Sequence, residues 1–437
     1  MRRTAIYFSR GSSISGVSLT FLLAAVFLFL LIFPSVSLCG SWEAIGPEGG
    51  NFIFSVTNTE DANEITAITT SPSPSNVYRS IDAGASWSKI GEIPYPYVYD
   101  VTAFDFSRLY AISYSRCYRS TNGGVSWTYS LLPSSAGSAY YVCVDPTNGD
   151  KVYAAGYDYN SYDGTYKLAF FKSTNGGLDW NASSFFSFES FYPTDMAISK
   201  SNPNVIYVSG YKRVGLYYYG ALLTTSDAGD SWTDVSSSVD PERYSYFYSV
   251  AIDPTDEYRV YVGGDYFYRC SRSGRANVLS WTRSSNRLYT YTINIDPVDT
   301  SRIYIAGYQT VGISTDYGQS WSVRNDCVKS LGIHIEVAPA SPSNVFVSTY
   351  AGFYKSPDRG TTWSTAHEGI YAARIAALAA APSKVIVQNS GYLMEYGKTG
   401  RIDTWQDIVT PESCGEVCDI LINPDDQDIV LILEGYG

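Results

Sequence analysis

A frame of eight residues, Ser/Thr-x-Asp/Asn-x-Gly-x-x-Trp, recurs along the chain. It reads SIDAGASW at 80–87, STNGGVSW at 120–127, STNGGLDW at 173–180, TSDAGDSW at 225–232, STDYGQSW at 314–321 and SPDRGTTW at 356–363. Two degraded copies end at Trp281 and Trp405. Eight of the nine tryptophans thereby close a unit, at steps of 40, 53, 52, 49, 40, 42 and 42 residues. A period of this size constrains the fold more than any other feature, because each unit is one supersecondary element that buries its faces only against its neighbours. It overrides the domain count that a length of 437 residues would otherwise suggest.

Within a unit, an apolar stretch runs to an Asp-Pro or Asn-Pro turn and a second short strand follows. Examples are YVCVDPTNGDKVYAAGY at 141–157, MAISKSNPNVIYVSGY at 196–211, SVAIDPTDEYRVYVGG at 249–264, INIDPVDTSRIYIAGY at 293–308 and IEVAPASPSNVFVSTY at 335–350. A third strand, such as GFYKS at 352–356, leads into the repeated frame, and a fourth leaves from its tryptophan. Short strands broken by Pro, Gly, Asp and Asn at regular spacing read as all-β. Four antiparallel strands in about 42 residues make one propeller blade. The 40 tyrosines agree, since aromatic residues favour half-buried pleated surfaces. In the frame, the Asp or Asn side chain is expected to accept hydrogen bonds from backbone N–H groups two residues on. The glycine supplies a positive φ, and the tryptophan buries a large ring against the hairpin and the next blade.

The frame resembles the Asp-box, or BNR repeat. The chain from about 42 to 437 is similar to Asp-box propellers: sialidases, xyloglucanase-type glycosidases, sortilin-type receptors and photosystem II assembly/stability factors. The resemblance implies structural roles for Asp82, Gly84 and Trp87, and for Asn122, Gly124 and Trp127. The same roles fall on Asn175, Gly177 and Trp180, on Asp227, Gly229 and Trp232, on Asp316, Gly318 and Trp321, and on Asp358, Gly360 and Trp363. The expected fold is a single β-propeller over 40–437 of about eight four-stranded blades, within a range of seven to ten. SWEAIGPEGG at 41–50 looks like the end of a blade and 418–437 like the start of one, so the two ends can pair to close the ring. The alternative is a chain cut short.

Residues 1–39 read as an export signal or an uncleaved membrane anchor. Arg2, Arg3 and Arg10 precede an apolar run at 18–33, and small residues follow. VSLC at 36–39 resembles a bacterial lipoprotein processing site, with Cys39 as the lipidated residue. The expected location is therefore exported: secreted, periplasmic or cell-surface. Loss of residues 1–39 removes three arginines and no acid, taking the net charge from −12 to −15. An acidic body excludes nucleic acid as a partner, because phosphate binding runs on Lys/Arg neutralisation. Six cysteines lie beyond the signal. Cys414 and Cys418 are the most plausible local disulfide, and the alternative for the others is buried thiols on strands.

In a propeller the strand 2–3 loops and the inter-blade loops share one face, and in Asp-box families the Asp-boxes lie on the opposite one. The long steps of 53, 52 and 49 fall on the first face, in insertions at 157–171 and 211–223. Tyr157, Tyr159, Tyr162, Tyr166, Tyr211, Tyr217, Tyr218 and Tyr219 are the candidate binding residues there. Tyrosine gives large contact area at low entropic cost. The competing reading is that they pack on strands. Glycoside hydrolysis needs two carboxylates flanking the bond, and Asp158, Asp163, Glu189, Asp195, Glu242 and Asp265 are the acids on that face. No spacing pairs any two of them. The Phe/Tyr-Arg-Ile-Pro motif of sialidases is missing, and the xyloglucanase-like catalytic stretch is replaced by RSIDAGASW. No cofactor or metal is expected. His334 and His367 lie in different units, and DYNSYDG at 158–164 departs from a calcium loop in the position of its glycine.

The reading is an exported, monomeric, non-catalytic propeller that binds an unidentified protein or glycan on its tyrosine-rich face. The alternative is a glycoside hydrolase acting on the same face.

Overall fold

The computed structural model describes residues 5–8, residues 52–366 apart from 70–73, 95–97, 134–136, 161–163, 187–189, 242–244, 274–277, 309, 326, 329–330 and 350–351, and the strands within 375–435. It divides into two compact units, Glu48–Arg374 and Met1–Pro47 with Ile375–Gly437.

The larger unit is a seven-bladed β-propeller. Its blades span 52–93, 100–131, 138–186, 190–234, 247–287, 292–325 and 332–365, each a four-stranded antiparallel sheet in chain order. The first strands of successive blades lie side by side, and that of blade seven, Gly332–Val337, lies beside that of blade one, Phe52–Thr57. The ring therefore closes at seven blades, one fewer than the preferred count. Each sheet of the ring holds four consecutive strands from 52–365, so none is completed by a strand from 418–437, and 41–50 lies outside the described residues.

Burial follows position in the blade. The second strands Ile65–Thr69, Leu109–Ser113 and Val345–Thr349 are buried at every residue, sandwiched between neighbouring blades. The fourth strand of blade six, Ser322–Asn325, is exposed throughout. Alternating in/out patterning is consequently weak in the middle of a blade, as for any sheet covered on both faces.

The repeated turn joins third to fourth strands. Its aspartate accepts from the N–H four residues on: Ser86 N to Asp82 Oδ1 at 2.8 Å, Ser231 N to Asp227 at 2.8 Å and Ser320 N to Asp316 at 2.9 Å. The sequence-based expectation of two residues on is corrected. The loop is wider because two successive residues are left-handed, for example Ala228 at φ 57° and Gly229 at φ 86°. The leading Ser/Thr is the second clamp. Gly318 N donates to Ser314 Oγ at 2.8 Å, and that hydroxyl donates to Asp316 at 2.8 Å. Three of the turn tryptophans pack edge-on against an aromatic ring of the preceding blade. Trp232 meets Phe170 edge-on at 4.9 Å and Trp321 meets Phe267 at 4.6 Å. Trp87 meets Phe353 at 5.3 Å and donates to the Ala366 carbonyl at 2.8 Å, so it joins blade one to blade seven.

In the smaller unit, 375–408 forms a further four-stranded antiparallel sheet. Glu416–Ile422 pairs antiparallel with Val430–Gly435, which pairs parallel with Ala5–Phe8. The rest of the expected export segment, Cys39 and Cys414 lie outside the described residues. Among the described residues no helix is long and apolar enough to cross a membrane. Cys117, Cys143 and Cys270 are buried thiols on strands.

Candidate functional site: a tyrosine arc on the loop face

Strand register fixes which residues share the loop face. The start of a first strand pairs with the end of a second strand, as in Ser138 with Tyr157 and Ser190 with Arg213. The repeated turns follow the third strand, whose end pairs with the start of the second, as in Ser173 with Val152. Residues at first-strand starts and second-strand ends therefore gather on the face opposite the turns.

Tyrosines occupy those positions in one blade after another, and their rings touch. Tyr99 meets Tyr114 at 4.8 Å and Tyr140 at 4.9 Å, joining blades two and three. Tyr140 stacks on Tyr157 at 4.8 Å, and their hydroxyls are 2.9 Å apart. Tyr166 contacts Tyr157, Tyr159 and, in blade four, Tyr192 at 4.8 Å. Tyr192 stacks on Tyr211 at 5.0 Å and also meets Tyr218. Tyr211 meets Tyr246 of the next inter-blade segment, and Tyr246 neighbours Tyr248 of blade five. Tyr248 stacks on Tyr291, at the entry to blade six, at 4.6 Å and 11°. Ring-to-ring contact is thus continuous from blade two to blade six. Edge-to-face and offset contacts of this kind hold aromatic rings in fixed orientations.

The arc is a surface as well as a packing layer. Tyr159 is 53% exposed, and Tyr99, Tyr114, Tyr218 and Tyr246 are also exposed. Tyr114 sits at φ 50°, a costly conformation for a bulky residue. Its carbonyl accepts from Ala139 N at 2.8 Å, so the strained residue ties blade two to blade three. Burial and the neighbouring Tyr218 hydroxyl push the Tyr192 phenol up to about 12, and burial does the same to Tyr248. These phenols stay protonated, neutral hydrogen-bonding groups.

The structure separates the eight candidate tyrosines. Tyr157, Tyr159, Tyr166, Tyr211 and Tyr218 belong to the arc. Tyr217, 68% exposed, and Tyr219 lie on the other side of the same strand and pair with each other at 6.5 Å. Tyr162 is outside the described residues. Tyr99, Tyr114, Tyr140, Tyr192, Tyr246, Tyr248 and Tyr291 were not among those candidates. For Tyr114 the signal is phase, a tyrosine near the end of the second strand as at Tyr157 and Tyr211, and Tyr99, Tyr192, Tyr246, Tyr248 and Tyr291 lie in the aromatic-rich segments 93–100, 185–192, 243–248 and 287–292.

Of the acids, Asp163, Glu189 and Glu242 lie outside the described residues. Asp158 is half-buried opposite Lys167. Asp265 is half-buried, and burial raises its carboxyl against the pull of Arg287. Asp195 is not on a loop. It lies in a first strand and accepts from Met196 N at 2.7 Å and from Val250 N of blade five at 2.9 Å. Asp100 bridges blades two and three in the same way, through Val142 N at 2.9 Å. Glu336 of blade seven accepts from Thr57 N at 2.7 Å and from the Ser55 and Thr57 hydroxyls. These three carboxylates are inter-blade fasteners. Among the described residues no three His, Cys, Asp or Glu side chains cluster to hold a metal.

Taken together, ring, blades and face define an all-β, seven-bladed propeller. No family model matches the chain, and no curated protein does. Solved structures do. A GH74 enzyme from Niastella koreensis aligns over 88% of this chain and 70% of its own, at 15% identity and TM-score 0.59. An ancestral GH74 enzyme aligns over 91% and 68%, at 14% identity and TM-score 0.56. YCF48 bound to D1 peptide aligns over 69% and 91%, at 14% identity and TM-score 0.50. At these identities the likeness establishes the propeller fold and leaves activity to the site itself.

Proposed function

We propose that the chain is an exported, non-catalytic propeller of the Asp-box kind that binds a protein or glycan partner along its tyrosine arc. The observation that carries this reading is the unbroken series of ring contacts from Tyr99 to Tyr291 with exposed members along it. Rigid aromatic groups on a fixed scaffold give contact area with little ordering cost, and their hydroxyls add direction. The folds it shares serve both roles: the YCF48 structure carries a peptide, and the GH74 proteins are enzymes. Binding is favoured over hydrolysis here because Asp195, one of the candidate acids, is committed to fastening blades four and five.

The test is a glycan array and a pull-down from the exported proteome, each run with the native chain and with a Tyr159→Ala/Tyr218→Ala variant. Partner signal should fall at least tenfold in the variant, about 1.4 kcal/mol or more, with the melting temperature little changed. Release of reducing sugar or sialic acid by the native chain would instead make it a glycosidase. Undiminished capture by the variant would remove the arc from the binding surface.

A further inference from the structure

We propose that the tyrosine arc is also an oxidation relay, which ends in a covalent cross-link between Tyr248 and Tyr291 across the seam of blades five and six. The proposal stands whether or not the arc binds a partner. Three features carry it. First, exposed and half-buried phenols form one series without a gap. Tyr99, Tyr114, Tyr159, Tyr218 and Tyr246 are open to a macromolecular oxidant, whereas Tyr248 and Tyr291 are half-buried. Second, neighbouring rings lie 4.6–6.4 Å apart from Tyr211 through Tyr246 and Tyr248 to Tyr291. Third, Tyr248 and Tyr291 are the most nearly parallel pair of the arc, at 4.6 Å and 11°.

The chemistry balances with hydrogen peroxide as oxidant and a peroxidase as its activator. One exposed phenol gives an electron to the oxidised haem and its proton to solvent. Exchange of an electron and a proton with the next phenol moves the radical inward. When Tyr248 and Tyr291 each carry a radical, a carbon–carbon bond forms between the ring positions beside their hydroxyls. The two ring hydrogens then move to oxygen, restoring both phenols. Two tyrosines and one peroxide give one dityrosine and two waters. Half-burial keeps this pair from reaching a second chain, so the product is intramolecular.

The full chain, dilute, is treated with hydrogen peroxide and an immobilised peroxidase, followed by tryptic mapping. Cleavage at Arg243, Arg259, Arg287 and Arg302 puts Tyr248 in 244–259 and Tyr291 in 288–302. The expected product is those two peptides joined with loss of two hydrogens, together with dityrosine fluorescence and a raised melting temperature. Tyr291→Phe, which keeps the ring packing, should abolish that species. Tyr246→Phe, which interrupts the relay one step away, should lower its yield several-fold. Joined peptides that are mainly between chains, or that lack Tyr248 and Tyr291 in a folded sample, would overturn the cross-link. A full yield in Tyr246→Phe would overturn the relay.

Discussion

Ser314 does in one blade what its counterparts do in the other well-formed copies of the turn. Its hydroxyl takes the N–H of Gly318 and passes its own proton to Asp316. Ser314→Ala leaves that buried N–H without a partner, a loss of about 1–3 kcal/mol, to be read from denaturant unfolding. The carboxylates of the turn add a pH signature. Hydrogen bonds from Thr362 and Ser356 hold the Asp358 carboxyl down to about 2, and those from Ser320 and Ser314 do so for Asp316. Stability from a depressed carboxyl is present above its unfolded value, 3.8, and is lost as pH falls through about 2. Asp316→Ala should lower the melting temperature at pH 6 and lose most of that effect near pH 2. The turn was legible because its chemistry is local: serine, aspartate, glycine and tryptophan act within eight residues. Its true span was not, because nothing in Ala228 or Tyr317 announces a left-handed backbone before the glycine.

At the scale of strands and blades, the seams are fastened by tryptophans on one side and carboxylates on the other. Trp87→Ala removes a ring packed on Phe353 and should cost about 3–5 kcal/mol. The carboxylates act in the opposite pH sense to the turns. Burial pushes Asp100 and Asp195 from 3.8, and Glu336 from 4.5, up to about 7. The other groups in their field are Tyr141, Cys143 and each other: Asp195 raises Asp100, and both raise Tyr141. Because the folded values are raised, folding takes up protons between the two limits. That contribution is complete below about 4 and lost as pH rises through about 7. Melting temperature should therefore fall from pH 5 to pH 8, and Asp195→Asn should flatten the slope. A slope unchanged in the variant would show that the fasteners do not govern it. None of these carboxylates was legible as a fastener. An acid in an apolar strand is ambiguous until the neighbouring strand's N–H is in place, which is why Asp195 read as a catalytic candidate. Tyr140 was hidden differently, since it looks like ordinary strand packing until the blades are aligned.

The whole ring is complete within Glu48–Arg374. The repeat predicted four-stranded units, and its preferred count of about eight exceeds the seven in the ring by the sheet at 375–408. The sheet at 375–408 has the same strand order as the seven before it. What ends a ring is the wedge angle between neighbours, a property of packing that no single unit spells out. A chain limited to 48–374 should fold with one cooperative transition and the same strand signature by circular dichroism. Broad, non-cooperative unfolding would contradict self-contained closure.

Blade seven meets blade one through Trp87, packed on Phe353 and donating to the Ala366 carbonyl, and through Glu336, which accepts from the Thr57 N–H and from the Ser55 and Thr57 hydroxyls. Among the described residues no sheet is shared between the first and last blades, nor between any other neighbouring pair in the ring. The order of the blades along the chain is then arbitrary. In a chain limited to 48–374, new termini opened between any two blades, with residues 48 and 374 linked, should give a circular permutant with the same ring.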